Sequence, residues 1–275
     1  MGLRVNTNII SMTAQRNLAS VTGRLEGNYQ RLSSGLRVAN ASDDPAGLGI
    51  SERLRSQIRS LGQSSRNAQD GASLVQTAEG ALAEVNNNLT RMRELAIQSA
   101  NGTLSDDDRA IVDDEFQALV TEINRIAQTT EFNGIQLLDG TQASLDLQVG
   151  IDAGQTITVN LQDTTTATLG LTAAGFDVSN ATNASNALAI IDTATDSVNE
   201  TRGELGATQN RLESSIRSIA NARENLAASE SRIRDVDVAE ETADLTRNSI
   251  MQQAAVSVLS QANVQPQIAL SLLQG

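Results

Sequence analysis

The chain has 275 residues, a net charge of −13, 1% aromatic residues and only 2 prolines, with no cysteine, histidine or tryptophan. That inventory excludes disulfides, thiol chemistry, Cys/His metal sites and histidine-based acid–base or triad catalysis, and the negative charge opposes sequence-independent binding to nucleic acid. A core with so few rings must bury small and aliphatic side chains, which suits long helices packed side by side.

Met1–Ser20 carries Arg4 and Arg16 but no continuous apolar run, so no cleavable signal peptide is expected, and no stretch is apolar enough to span a bilayer. Leu18, Val21, Leu25, Leu32 and Leu36 are spaced by three, four or seven and mark one face of a first helix. A break follows at Asp43, Asp44, Pro45, Gly47 and Gly49. A second helix is expected from near Ser51 to about Ser99, its stripe including Ile58, Leu61, Ala68, Ala72, Val75, Leu82, Val85, Leu89 and Met92. Asn101-Gly102 ends it, and Ser105 caps a third helix with Asp106, Asp107 and Asp108 in its first turn. Val112, Phe116, Leu119, Ile123 and Ile126 give that helix a heptad seam.

The period then changes. Leu145, Leu147 and Val149 alternate with polar residues, as do Ile157, Val159 and Leu161, and Asp152-Ala153-Gly154 lies between, which predicts a β-hairpin. The Thr-, Ala-, Asn- and Ser-rich stretch Thr164–Asn186 reads as a surface loop or irregular cap. Ile191, Val198, Leu205, Leu212, Ile219, Leu226 and Ile233 then fall at strict seven-residue steps, the signature of a supercoiled helix. No charged residue occurs after Arg247, although Met251, Ala255, Val258 and Ala262 form a stripe, and Leu270, Leu272 and Leu273 follow. The first helix has no acidic residue before Glu26. Neutral helices of this kind expect burial against other protein surfaces. Ordering a residue costs about 1–2 kcal/mol, so Asn6–Arg24 and Gln252–Leu272 are expected to order on subunit contact.

Long motifs in the correct order support a specific resemblance. "NTNIISMTAQRNL", "RLSSGLRVANASDDPAGLGISERL", "NLTRMRELAIQSANGT", "EINRIAQTTEFNGIQLLDG", "RLESSIRSIANARENLAASESRIRDVDVAEE" and "QAAVSVLSQAN" resemble bacterial flagellin over nearly the whole chain. The resemblance implies a mainly α fold of long antiparallel helices in a coiled-coil-like bundle with a small β-hairpin region. It implies a channel-lining inner domain from residues 1–42 and 236–275, whose helices pair. It implies an outer rod at 43–235, with a spoke at 33–57 and the hairpin at about 135–165. Thr164–Asn186 is too short for a further domain, so a minimal flagellin forming a thin, smooth filament is expected. The implied function is self-assembly into the extracellular flagellar filament for swimming, after type III export without a cleaved signal. The implied partners are other copies of the chain, an export chaperone, and cap and hook-junction proteins. No cofactor, nucleic acid or membrane insertion is expected.

The residues that look like chemistry have structural readings. Asp43 and Asp44 supply too few ligands for calcium, and Asp44 before Pro45 reads as a turn or helix cap. Gly47 and Gly49 precede no Gly-Lys-Ser/Thr, and every basic residue is an arginine, so a phosphate loop is excluded. In the family this stretch is the inter-subunit joint. Inner-domain packing falls to Leu18, Val21, Leu25, Met251, Ala255, Val258 and Leu259. The resemblance also implies recognition by the flagellin-sensing Toll-like receptor through Arg91, Leu95 and Glu115, and it allows O-glycosylation within Thr164–Ser185. A hook–filament junction protein is the alternative, opposed by "EFNGIQLLDG". A protease-bearing flagellin is opposed by the missing histidine and insert, and an effector or adhesin role could coexist with the structural one.

Overall fold

The computed structural model describes residues 7–274, with side chains described to residue 265, so Asn6 and the leucines Leu270, Leu272 and Leu273 named above lie outside that description wholly or in their side chains. The chain divides into two compact units, Met1–Gln57 with Asn225–Gly275, and Ile58–Glu224. Its architecture is mainly α, with two small antiparallel strand pairs among the described residues.

In the first unit, helix α1 (Ile9–Ser34) starts at Asn8, whose side chain accepts the Ser11 N–H, and stops at Gly35 in the left-handed region. Gly35 permits that conformation because it has no Cβ. The chain then crosses the segment that follows a later helix. Arg37 N–H donates to Arg234 C=O at 2.7 Å, Val236 N–H donates to Gly35 C=O at 3.1 Å, and Leu36 bridges Asp235. Helix α2 (Pro45–Ala100) begins six residues before the expected Ser51. The expectation followed the apolar stripe, whereas the Asp-Pro cap decides the start. Residues of α2 belong to both units.

The second unit holds the larger core. Leu61, Ala68, Val75, Leu82, Val85, Leu89 and Met92 of α2 are buried, and Ile58 and Ala72 of the same stripe are half-buried. Helix α3 (Asp106–Thr129) opens on a capping box, with Ser105 accepting from Asp108 N–H and Asp108 accepting from Ser105 N–H. It buries Val112, Phe116 and Ile123 and half-buries Leu119 and Ile126. Strands β1 (Glu131–Phe132) and β2 (Ile135–Gln136) then form a hairpin absent from the sequence reading, turning on Asn133 and Gly134 at φ of 52° and 78°. Asn-Gly is a strong hairpin signal, but two-residue strands carry no readable alternation.

Strands β3 (Ser144–Gln148) and β4 (Thr156–Asn160) form the expected hairpin, pairing Leu145 with Val159 and Leu147 with Ile157, so that both apolar faces coincide. The Ser64 hydroxyl on α2 donates to Gly150 C=O and Asn67 Nδ2 donates to Gln148 C=O, each at 3.0 Å. The next stretch corrects the surface-loop expectation. Leu169, Leu171, Phe176 and Val178 are buried, and Phe176 meets Phe116 with ring centroids 5.1 Å apart. Asp113 on α3 accepts Val178 N–H at 2.8 Å, and Gln117 Nε2 donates to Phe176 C=O at 3.2 Å. Helix α4 (Ala181–Arg234) already begins inside this stretch. Its heptad residues Ile191, Val198, Leu205, Leu212 and Ile219 are buried, while Leu226 and Ile233, in the first unit, are half-buried. Helix α5 (Val238–Gln274) returns antiparallel to α1.

Candidate functional site

Three groups of residues were singled out by the sequence. The first is the joint ahead of α2. Asp43 Oδ2 accepts the N–H groups of Ala39 at 3.1 Å and Asn40 at 2.9 Å. Asp44 Oδ1 accepts those of Ala46 at 3.1 Å and Gly47 at 2.9 Å, and Leu48 N–H closes the first helical bond on Asp44 C=O. Both carboxylates therefore satisfy backbone donors that the turn and the helix start leave unpaired. Pro45 stands at the first helical position, where its missing N–H costs nothing. Gly47 is buried under the cap, and a Cβ there would lie 2.3 Å from Asp44 Oδ2. A Cβ on Gly49 would meet nothing within 4 Å. Gly47 thus has a steric reason within the chain, and Gly49 has none there.

The second group is the α1–α5 pairing. Val21 and Leu25 are buried, and Leu18, Ala255 and Leu259 are half-buried, whereas Met251 and Val258 stay 49% and 57% exposed. Val21, Met251, Ala255 and Val258 line an open groove between the two helices. Sequence reading missed the polar residues that join these helices. Asn28 Nδ2 donates to Glu241 Oε1, Arg31 Nη1 reaches both Glu241 oxygens at 3.4 Å, and Asn248 Nδ2 donates to Asn28 Oδ1 at 2.7 Å. Toward the other end, Ser11 Oγ donates to Asn263 Oδ1 at 2.8 Å and Asn8 Nδ2 to Ala262 C=O at 2.7 Å. The available signal was Glu241, in the charged first turns of a helix that carries no charge after Arg247.

The third group lies on the second unit. Arg91 Nε donates to Glu115 Oε1 at 2.9 Å, and Arg91 Nη1 donates to Glu94 at 3.0 Å. Hydrogen bonds from Arg91 to Glu115 and then to Glu94 hold the guanidinium above its ordinary pKa. Arg91 and Glu115 remain about half exposed, so this pair is a recognisable surface feature of modest energetic weight. Leu95, one turn from Arg91, is 2% exposed and sits in the core. The structure brings the two charged members together on the surface and places the leucine beneath them.

The described residues thus make a mainly helical protein whose first and last helices pair and keep apolar side chains at the surface. Residues 5–143 match the bacterial flagellin N-terminal helical region, and residues 188–273 match the bacterial flagellin C-terminal helical region. Over 270 residues the chain is 49% identical to the flagellin of Halalkalibacterium halodurans, covering 98% of this chain and 99% of that one. It is 41% identical over 282 residues to the flagellar filament 30.7 kDa core protein of Treponema maltophilum, covering 98% and 99%. The crystal structure of Bacillus cereus flagellin is 33% identical with a TM-score of 0.52, over 60% of this chain and 94% of that one. The chain belongs to the bacterial flagellin family.

Proposed function

We propose that this chain is the structural subunit of a bacterial flagellar filament, polymerising outside the cell with other copies of itself to drive swimming. The observation that carries this reading, beside family membership, is the uncovered apolar surface of α5. Ile250, Met251, Val256 and Val258 are 61%, 49%, 51% and 57% exposed on a helix segment with no charge. Covering the exposed half of four such side chains is worth on the order of 3–6 kcal/mol. In this reading residues 1–42 and 236–275 line the channel, residues 43–235 form the outer rod, and the spoke at 33–57 touches neighbouring subunits. Export chaperone, cap and hook-junction proteins are its partners on the way to the filament.

The test is seeded growth. Purified chain added to filament fragments should become sedimentable in proportion to its concentration above a threshold and should lengthen the fragments under the electron microscope. A chain that ends fragments without lengthening them would be a hook–filament junction protein, and one that ignores them would refute both readings. Receptor recognition is supported by the exposed Arg91–Glu115 pair, with Leu95 acting from below by holding α2 in place.

A further inference from the structure

The α1–α5 contact has an unusual problem of alignment. Between Asn248 and Gln265, α5 carries no charge, and its apolar residues are spread around the helix: Ile250, Met251, Val256, Val258 and Val264 are exposed, Ala255 and Leu259 half-buried, and Ala262 alone buried. On α1 the buried apolar side chains are Ala14, Val21 and Leu25. Small aliphatic contacts of this kind change little when one helix slides along the other by a turn. Apolar packing therefore gives this pair affinity without alignment.

The polar groups do the opposite. Asn28 is 4% exposed and Glu241 is 7% exposed. Each finds its partner only on the other helix: the Glu241 carboxylate receives Asn28 Nδ2–H and Arg31 Nη1–H, and the Asn28 carbonyl receives Asn248 Nδ2–H. A one-turn slip, about 5.4 Å, would carry the carboxylate away from Asn28 toward Arg24 and Leu25 or toward Leu32; Arg24 can donate but cannot also accept from Asn248 as Asn28 does, so the chain Asn248–Asn28–Glu241 closes in one register only. Losing the Asn28 amide leaves Glu241 and Asn248 each short of a buried partner, a penalty that sliding apolar contacts do not offset. A polar residue at a helix–helix seam is a well-attested means of fixing register. The Asn8 and Ser11 hydrogen bonds lie 17–20 residues away, roughly 26–30 Å along α1, and oppose a tilt about the first cluster.

We propose that Asn28, Arg31, Glu241 and Asn248 form a register lock that selects one antiparallel alignment of α1 and α5 as subunits join the filament. The lock makes them specificity-determining residues for assembly, and it rests on the filament reading above. The apolar side chains drive pairing, and this cluster decides which pairing is made.

The absence of cysteine makes the test direct. Cysteines at the exposed positions Gln30 and Ser257, staggered by roughly 22 Å along the helix axes so that a slide changes their separation almost one for one, carry spin labels, and labelled chains are diluted tenfold into filaments of unlabelled chains of the same background. The intramolecular distance distribution is then read by pulsed electron resonance. The parent and Glu241→Gln, which keeps an acceptor for Asn28, should give one narrow population. Asn28→Leu with Glu241→Leu should assemble with added populations displaced by about one helical turn. A second variant protects against simple failure to assemble. Glu241→Leu with Leu245→Glu keeps the composition and moves the acidic residue one turn, so a population shifted by about 6 Å along the helix is expected. A single parental distance in both altered backgrounds overturns the lock. A parent chain that forms no filament instead refutes the proposed function.

Discussion

Replacing Gly47 by valine is expected to weaken the joint by roughly what the Asp44 cap contributes. A Cβ on Gly47 would lie 2.3 Å from Asp44 Oδ2 and 2.9 Å from its Cγ, so the carboxylate must abandon the N–H groups of Ala46 and Gly47. Loss of such a cap costs about 1 kcal/mol. Valine recovers only a few tenths of a kcal/mol through helix propensity. A net loss of about 0.7 kcal/mol is roughly threefold in an equilibrium constant. If the joint orders as a subunit adds, the critical concentration for polymerisation rises by the same factor. Asp44→Ala, which removes the same cap without the propensity gain, should raise it about fivefold, and the double variant should be no worse than Asp44→Ala alone, because both changes remove the same interaction. Gly49→Val should be neutral within the chain, so a rise there would locate a neighbouring subunit against that face. The assay is the soluble concentration left after seeded growth and sedimentation, with secretion checked separately and expected to be intact. Parental polymerisation by Gly47→Val, or full additivity with Asp44→Ala, would refute the reasoning.

Phe116→Ala removes a fully buried ring and its contact with Phe176, and should cost about 3–5 kcal/mol in urea unfolding of the soluble chain; a loss under about 1 kcal/mol would mean the 164–180 stretch is not anchored there. Arg91→Asp sets a third carboxylate beside Glu94 and Glu115, changes stability by less than about 1 kcal/mol, and should sharply lower activity in a receptor-reporter assay; activity equal to the parent counts against recognition at this pair. Ser105 holds Asp108, Arg125 holds Glu122, and Ser179 with Asn183 hold Asp177 below the ordinary carboxylate range. Their stabilisation is therefore complete above the unfolded-state values near 4 and is lost as pH falls through the lower folded values. With no histidine, lysine or cysteine to titrate, the thermal midpoint should be flat from about pH 6 to 9 and should fall below about pH 4; a decline inside the neutral window would contradict this.

The long helices were legible because their information is local and periodic. The seven-residue steps of α4 and the alternation of β3 and β4 state which face is buried, and Ile191, Val198, Leu205, Ile157 and Val159 are buried accordingly. The Asp44-Pro45 cap is equally local, although the stripe alone set the helix start too late. The Arg91 and Glu115 side chains could be named from the family motifs, but their meeting depends on how α2 and α3 pack. Tertiary structure alone decided the rest. The 164–180 stretch shows no period, and Phe176 and Val178 are buried only because Phe116, Asp113 and Gln117 on α3 receive them. The alignment of α1 with α5 is the clearest case. Glu241 finds Asn28 across 213 residues of chain, and no window of sequence contains both sides of that contact. Periodicity determines which surfaces are apolar, whereas register depends on which distant polar groups can satisfy one another once the chain has folded back.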